Sequence, residues 1–162
     1  MDVEKLRFPA GDSIPNNPTL PALAYRGALS GDVEQTFLDN GWRGTWHSSV
    51  FPFHHFHSTS HEALGVESGH AVLALGGPQG DEVEVSAGDA LVLPAGTGHK
   101  RVSSSDDFQV VGAYPPGQED YDLLRGDPAE LEQAVANIEQ VELPRTDPVG
   151  GDDGPLLEAW GA

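Results

Sequence analysis

Between residues 44 and 114 the apolar positions fall in short runs at 46–57, 62–66, 70–75, 83–85, 90–93, 100–102 and 108–114, broken by glycine, proline, serine and aspartate. Alternation of apolar and polar residues within such a run has the period of a strand with one face on a core. Closely spaced short strands with turn signals between them predict a mainly β sandwich, jelly roll or barrel. The stretch GGPQGD at 76–81 reads as a hairpin loop. Outside this block the pattern changes. Residues 1–21 are crowded with Pro9, Gly11, Asp12, Pro15, Asn16, Asn17, Pro18 and Pro21. They read as an extended arm, packed over the domain or reaching a second subunit. Residues 22–29 suit a first strand. A short helix follows: Asp32 is the N-cap, Gln35 completes a capping box, Val33 and Phe37 share a face, and Gly41 ends it.

Beyond the strands, Asp127-Pro128-Ala129-Glu130 joins an N-cap aspartate, a proline at the first helical position and a glutamate three residues after the cap. With the stripe Leu131, Ala134, Val135 and Ile138 it predicts a helix over 128–140 that packs on the barrel. The turn-rich end at 147–160 closes with an apolar anchor of Leu156, Leu157 and Trp160. The expected organisation is one domain: arm, strand and helix over 1–43, barrel core over 44–115, and helix and tail over 116–162.

Composition narrows this picture. A chain of 162 residues buries roughly 70% of its unfolded surface and needs no covalent staple. Cysteine is absent, which excludes disulfides, thiolate metal sites and a cysteine nucleophile, and fits a reducing cytosol. The opening MDVEKLRFP lacks the apolar stretch of a secretory signal, and no apolar run is long enough for a membrane span, so a cytoplasmic protein is expected. The formal net charge of −18, with Lys5 and Lys100 the only lysines, argues against nucleic acid and anionic membranes as partners. Such a surface suits adaptation to high salt, or simply solubility.

The chemistry gathers in the histidines. Four of the seven lie in the stretch FHHFHSTSHE. His55 and His57 stand two apart in a strand pattern and share their parity with Phe51 and Phe53, which makes theirs the inward face. Two imidazoles on an apolar inner face need a partner, and a metal ion supplies one. If Ser58-Thr59-Ser60 is a turn, parity resets after it. One face of the next strand then reads Glu62, Leu64, Val66 and the other His61, Ala63, Gly65. The first is the better core face and favours Glu62 as third ligand, with His61 its rival. His99 leaves the tight turn at 94–98 at the start of another strand and is the fourth candidate. Three imidazoles and a carboxylate suit Fe, Mn, Zn, Ni or Cu, and an octahedral ion would keep two positions open.

These segments resemble the two cupin motifs. HFHSTSHEALGVESG carries His-x-His, four residues, Glu62, six residues and Gly69. GDALVLPAGTGH carries Gly88, five residues, Pro-x-Gly, two residues and His99. Ser49 stands where the first motif usually opens with glycine, and Ser103 where the second usually closes with asparagine. PNNPTLP, HSTSHE, PAGTGHKR, VVGAYPPGQ and DPVGGDDGPL together resemble the small single-domain YjlB-like cupins. The resemblance implies a double-stranded β-helix, or jelly-roll barrel, holding one divalent metal through His55, His57, Glu62 and His99. With the arm, it also suggests a homodimer.

Arg101, two residues beyond His99, shares its face on a regular strand. It is a candidate for a substrate carboxylate, or for a local pair with Asp106 or Asp107. His61 is a candidate base or an orienting partner for Glu62. Trp46, Phe53, Gln109 and Tyr114 are possible pocket liners, while His47, His54 and His70 read as ordinary surface or supporting residues. The function expected is a metal-dependent oxygenase or isomerase acting on a small polar molecule. The alternative is a non-catalytic module that binds a small ligand, with a structural or ligand-holding metal.

Overall fold

The computed structural model describes residues 1–161 and is mainly β. Its strands are β1 (Glu4–Leu6), β2 (Ala22–Tyr25), β3 (Arg43–Ser48), β4 (Glu62–Ser68), β5 (His70–Leu75), β6 (Asp81–Ser86), β7 (Ala90–Leu93), β8 (His99–Ser104) and β9 (Gln109–Tyr114). Its helices are α1 (Val33–Asp39), α2 (Leu131–Gln140) and α3 (Pro155–Ala159). A six-stranded antiparallel sheet runs β1-β2-β7-β4-β9-β3, and a three-stranded sheet runs β6-β5-β8. The two sheets face each other as a jelly roll.

Side-chain alternation decides what each sheet covers. Leu64 and Val66 of β4, Leu91 and Leu93 of β7 and Val110 of β9 meet Leu73, Leu75, Val83 and Val85 of the small sheet, and this is the core. The outer face of the large sheet is buried as well. Leu23, Tyr25, Ala63, Val92, Val111 and Ala113 lie under Val33 and Phe37 of α1, Trp42, Leu156 of α3 and Trp160. That double burial is why β2 (ALAY) and β7 (ALVL) are apolar at nearly every position instead of alternating. Each large side chain so buried stabilises the fold by about 1.5–3 kcal/mol.

Several local expectations change. The first strand stops at Tyr25 because the chain turns at Gly27 (φ 60°), whose N–H donates to Asp89 at 2.8 Å. The arm contributes a strand of its own, β1, paired with β2, and then packs over its own chain. Buried Asn16 donates to the Pro9 and Gly76 carbonyls and accepts from Gly98 N–H, each at 3.0 Å. The strand expected at 46–57 ends at Ser48: Pro52 has no N–H for a ladder, and beyond it only the isolated bridges at His55 and Phe56 form among the described residues. At α1, Asp32 accepts from Gln35 N–H at 3.0 Å, but the Gln35 side chain reaches forward to Asp39, so only half the capping box forms. The helix at 128–140 opens with a 3-10 turn capped by Asp127 and continues as α2. Of its apolar stripe Ala134 is buried, whereas Val135 is 41% exposed. No helix among the described residues is long and apolar enough to cross a membrane.

Candidate metal centre

Two connected turns bring the histidines together. His99 opens β8 directly after the turn at 94–98, where Gly96 sits at φ 94° and a Cβ would lie 2.5 Å from the Asn16 carbonyl oxygen. Gly96 N–H donates to the His57 carbonyl at 2.8 Å, tying that turn to the first motif. His55 and His99 exchange backbone hydrogen bonds of 3.2 and 2.9 Å. His55 and His57 thus converge as the parity argument expected, although an irregular segment carries them in place of a strand.

The three rings are buried, and one ligand atom from each lies within 4.8 Å of the others. Their orientation is set from behind. His55 Nδ1 meets the Phe53 carbonyl at 2.9 Å, His57 Nδ1 the Asp122 carbonyl at 2.5 Å, and His99 Nδ1 the Thr97 carbonyl at 3.1 Å. A carbonyl only accepts, so each Nδ1 carries a proton and each Nε2 is left to face the centre.

Glu62 enters from β4 with the inward parity of Leu64 and Val66. Its Oε1 lies 3.1 Å from His99 Nε2 and its Oε2 3.4 Å from His57 Nε2. Tyr114 donates to Oε2 at 2.6 Å and in turn accepts from Trp46 Nε1 at 2.7 Å. The indole reaches that position because Gly112 on β9 has no side chain: a Cβ there would collide with the Trp46 ring. Oε1 has no hydrogen-bond partner. Burial opposes ionisation of Glu62, but His57 and His99 outweigh it and hold the carboxyl well below the usual carboxylate range. Burial likewise opposes the His57 cation, and Glu62 together with the Asp122 carbonyl outweighs it and raises the pKa. For His55, burial and then the neighbouring His99 push the value down to about 3. Both shifts favour an ionised Glu62 beside a protonated His57 when no metal is bound. A carboxylate oxygen without a partner, facing imidazole nitrogens, fits a divalent ion that would displace that proton.

His61 lies on the opposite face of β4. Its ring packs on Trp160 with centroids 4.8 Å apart, and its Nδ1 accepts from Ala95 N–H at 2.9 Å. It neither faces the histidine cluster nor orients Glu62. A cavity of about 320 Å³ opens in front of the cluster, walled by Trp46, Phe51, Leu64, Tyr114, Tyr121 and Leu123, with Ser48 and Ser49 among its few polar groups. Arg101 keeps the parity of His99 but is not part of this wall. Its guanidinium donates to Ser49 Oγ at 3.2 Å and makes no ion pair with Asp106 or Asp107. Phe53 stacks on Phe51 (centroids 5.0 Å) beneath Arg125, beside the wall. Gln109 pairs with Ser68 and stays away from the cavity, while His47 is held between Glu34 and Glu67 at the surface. Sequence reasoning missed Tyr121, Asp122 and Leu123. Tyr121 stacks on Tyr114 (centroids 4.2 Å) and stands edge-on to His57.

The motif order, the facing sheets and the inward histidines are those of a cupin. The cupin-domain family model matches residues 44–111, and the chain belongs to that family. Over 155 residues, 94% of this chain and 93% of the relative, it is 46% identical to YjlB of Bacillus subtilis (strain 168), whose name carries no activity. Solved structures similar to this chain include an acireductone dioxygenase from Bacillus anthracis with cadmium in its active centre (25% identity, TM-score 0.36, 51% of this chain and 55% of that one). A protein with a double-stranded β-helix domain from Klebsiella pneumoniae is 18% identical, at TM-score 0.40 over 75% of this chain and 84% of that one. A TDP-fucose-3,4-ketoisomerase from Campylobacter jejuni is 10% identical, at TM-score 0.41 over 75% and 89%.

Proposed function

We propose that His55, His57, His99 and Glu62 hold one divalent metal ion, and that the chain is a metal-dependent enzyme of oxygenase or isomerase type acting on a small molecule. The observation that carries this reading is the unpartnered Glu62 Oε1 among imidazoles whose Nδ1 atoms are already committed to carbonyls. When bound, the ion would supply Lewis-acid stabilisation of enolate-like charge on substrate oxygens. The donor set suits Fe, Mn, Zn, Ni or Cu.

The remaining roles fall to this chain's own side chains. Trp46, Phe51, Leu64 and Leu123 line the cavity with apolar surface and exclude water from the reacting end. They favour a molecule whose polar end meets the histidines and whose body is apolar, a narrower class than the small polar molecule expected from sequence. Tyr114 holds its proton at Oη, donated to Glu62. Burial, with the nearby Glu62 charge adding, raises its pKa, so the phenol stays protonated and keeps Glu62 Oε2 oriented. A base, if the reaction needs one, is Glu62 once it lets go of the metal, because His61 faces away.

Elemental analysis of purified protein beside His55→Ala/His99→Ala tests the reading. Near-stoichiometric metal in the wild type, lost in the double variant, is expected. No metal after refolding with Fe, Mn, Zn and Ni offered in turn would overturn it. Stoichiometric metal whose removal lowers thermal stability, with no turnover across a substrate screen, would favour the non-catalytic alternative.

A further inference from the structure

The family match ends at residue 111, yet the histidine cluster is finished by residues beyond it. After β9 the chain continues as an irregular strap, residues 115–124, that adds Tyr121 and Leu123 to the cavity wall and fastens to the loop between His57 and Glu62. The ties are dense. The Asp122 carboxylate accepts from Ser58 N–H at 2.7 Å, Ser58 Oγ at 2.5 Å and Thr59 Oγ1 at 3.3 Å. Asp122 N–H donates to Thr59 Oγ1 at 3.1 Å. The carbonyl of the same residue meets His57 Nδ1. Gln118 accepts from His61 N–H at 3.0 Å, and Leu124 exchanges backbone bonds of 2.9 Å with Phe56. Between these anchors Tyr121 and Leu123 face the cavity.

We infer that the strap is a built-in closure of the metal site and that Asp122 is its fastener and a positioning residue: its carboxylate clasps Ser58 and Thr59, and its carbonyl thereby sets the tautomer and aim of His57. This rests on the metal-centre reading above for its consequence, and on the hydrogen bonds alone for its mechanism. His55 and His99 take their acceptors from Phe53 and Thr97, two residues away in sequence, so local geometry holds them. His57 borrows its acceptor from a segment 65 residues further along the chain. Of the three rings, only His57 depends on the strap.

The test compares wild type, Asp122→Ala and Asp122→Asn, using Co(II) affinity and the imidazole N–H resonances of the metal-free protein. Outer partners of metal-bound histidines are worth roughly 10–100-fold in affinity. Asp122→Ala should weaken Co(II) binding by that factor and lose the His57 Nδ1–H resonance, while those of His55 and His99 persist. Asp122→Asn keeps an acceptor for Ser58 N–H and should recover most of both signals. A merely structural residue would disturb all three histidines together, which overturns the proposal. So does affinity within about threefold of wild type with the His57 resonance intact. If Asp122→Ala does not fold, Ser58→Ala/Thr59→Val removes the hydroxyl bonds to Asp122, leaving Ser58 N–H on its carboxylate, and is read the same way, with unchanged affinity and resonance again overturning the proposal. If the wild type binds no Co(II), the metal-centre reading falls, and the resonance pattern alone decides for or against the fastener.

Discussion

Two of the buried carboxylates, Asp147 and Glu62, lie on opposite faces of the large sheet, and each takes a 2.6 Å hydrogen bond from a tyrosine. On the outer face Asp147 is finished. Tyr25 and Leu156 N–H donate to its Oδ2, Val149 N–H and Gly150 N–H to its Oδ1, at 2.6–2.9 Å. On the inner face Glu62 has Tyr114 on Oε2 and nothing bonded to Oε1. Both are buried charges, and burying a charge costs unless it is paired. The fold satisfies the first with its own backbone and leaves the second open toward a cavity. A closed acid is a structural knot. An open one, ringed by imidazoles, is where the proposed metal ion would sit.

Three experiments would break or sharpen that contrast. The largest effect belongs to Asp147→Ala, which strands a phenol and three backbone N–H groups. It should cost on the order of 4 kcal/mol in urea unfolding while leaving Co(II) affinity in the surviving folded fraction unchanged. Glu62→Gln should strike both properties. Metal affinity should fall by more than the roughly 10–100-fold that loss of an outer partner costs, and metal-free stability near neutral pH should fall too, by less than in Asp147→Ala, because His57 loses its buried counter-charge. Its pH signature is specific. A carboxyl held below its usual range contributes stability that is present above that range and lost as pH falls through the lowered value. The acid limb of the metal-free stability profile should therefore be shallower in the glutamine variant. An equal slope would show that Glu62 is not the group whose proton uptake counts. Smallest are the paired tyrosine variants. Tyr25→Phe and Tyr114→Phe should each cost about 2 kcal/mol, since each removes a bond to a charged acceptor. Only Tyr114→Phe should also lower Co(II) affinity, by about tenfold. If both variants leave affinity alone, the Tyr114 phenol does not orient Glu62.

What could be read from the sequence was whatever is encoded locally. The spacing of His55, His57, Glu62 and His99 sits in two short motifs, and the parity of Glu62 with Leu64 and Val66 needs only the next few residues. Asp127 before Pro128 announces the helical turn beside it. What escaped depends on distant partners. Asp122 and Asp147 are two acids among 26 acidic residues, in stretches without periodicity, and nothing nearby distinguishes them from solvated surface charges. Their roles appear only once residues 64 and 122 positions earlier are brought alongside. Arg101 shows how far parity reaches. It gives the face of β8 that the residue shares with His99, but not where the tip of a long side chain goes, which here is Ser49.

The clasp on the outer face bears on how the nascent chain folds. Tyr25 reaches the solvent 122 residues before Asp147 does, and the Pro21 carbonyl 139 residues before the Trp160 indole that caps it. Until the C-terminal residues arrive, the outer side of β2 and β7 has only α1 and Trp42 to cover it. Contacts so distant in sequence form slowly, because the loop must close before any contact rewards it. On a ribosome, the outer face of the sheet is therefore the last surface to be sealed and the first exposed to a wrong partner.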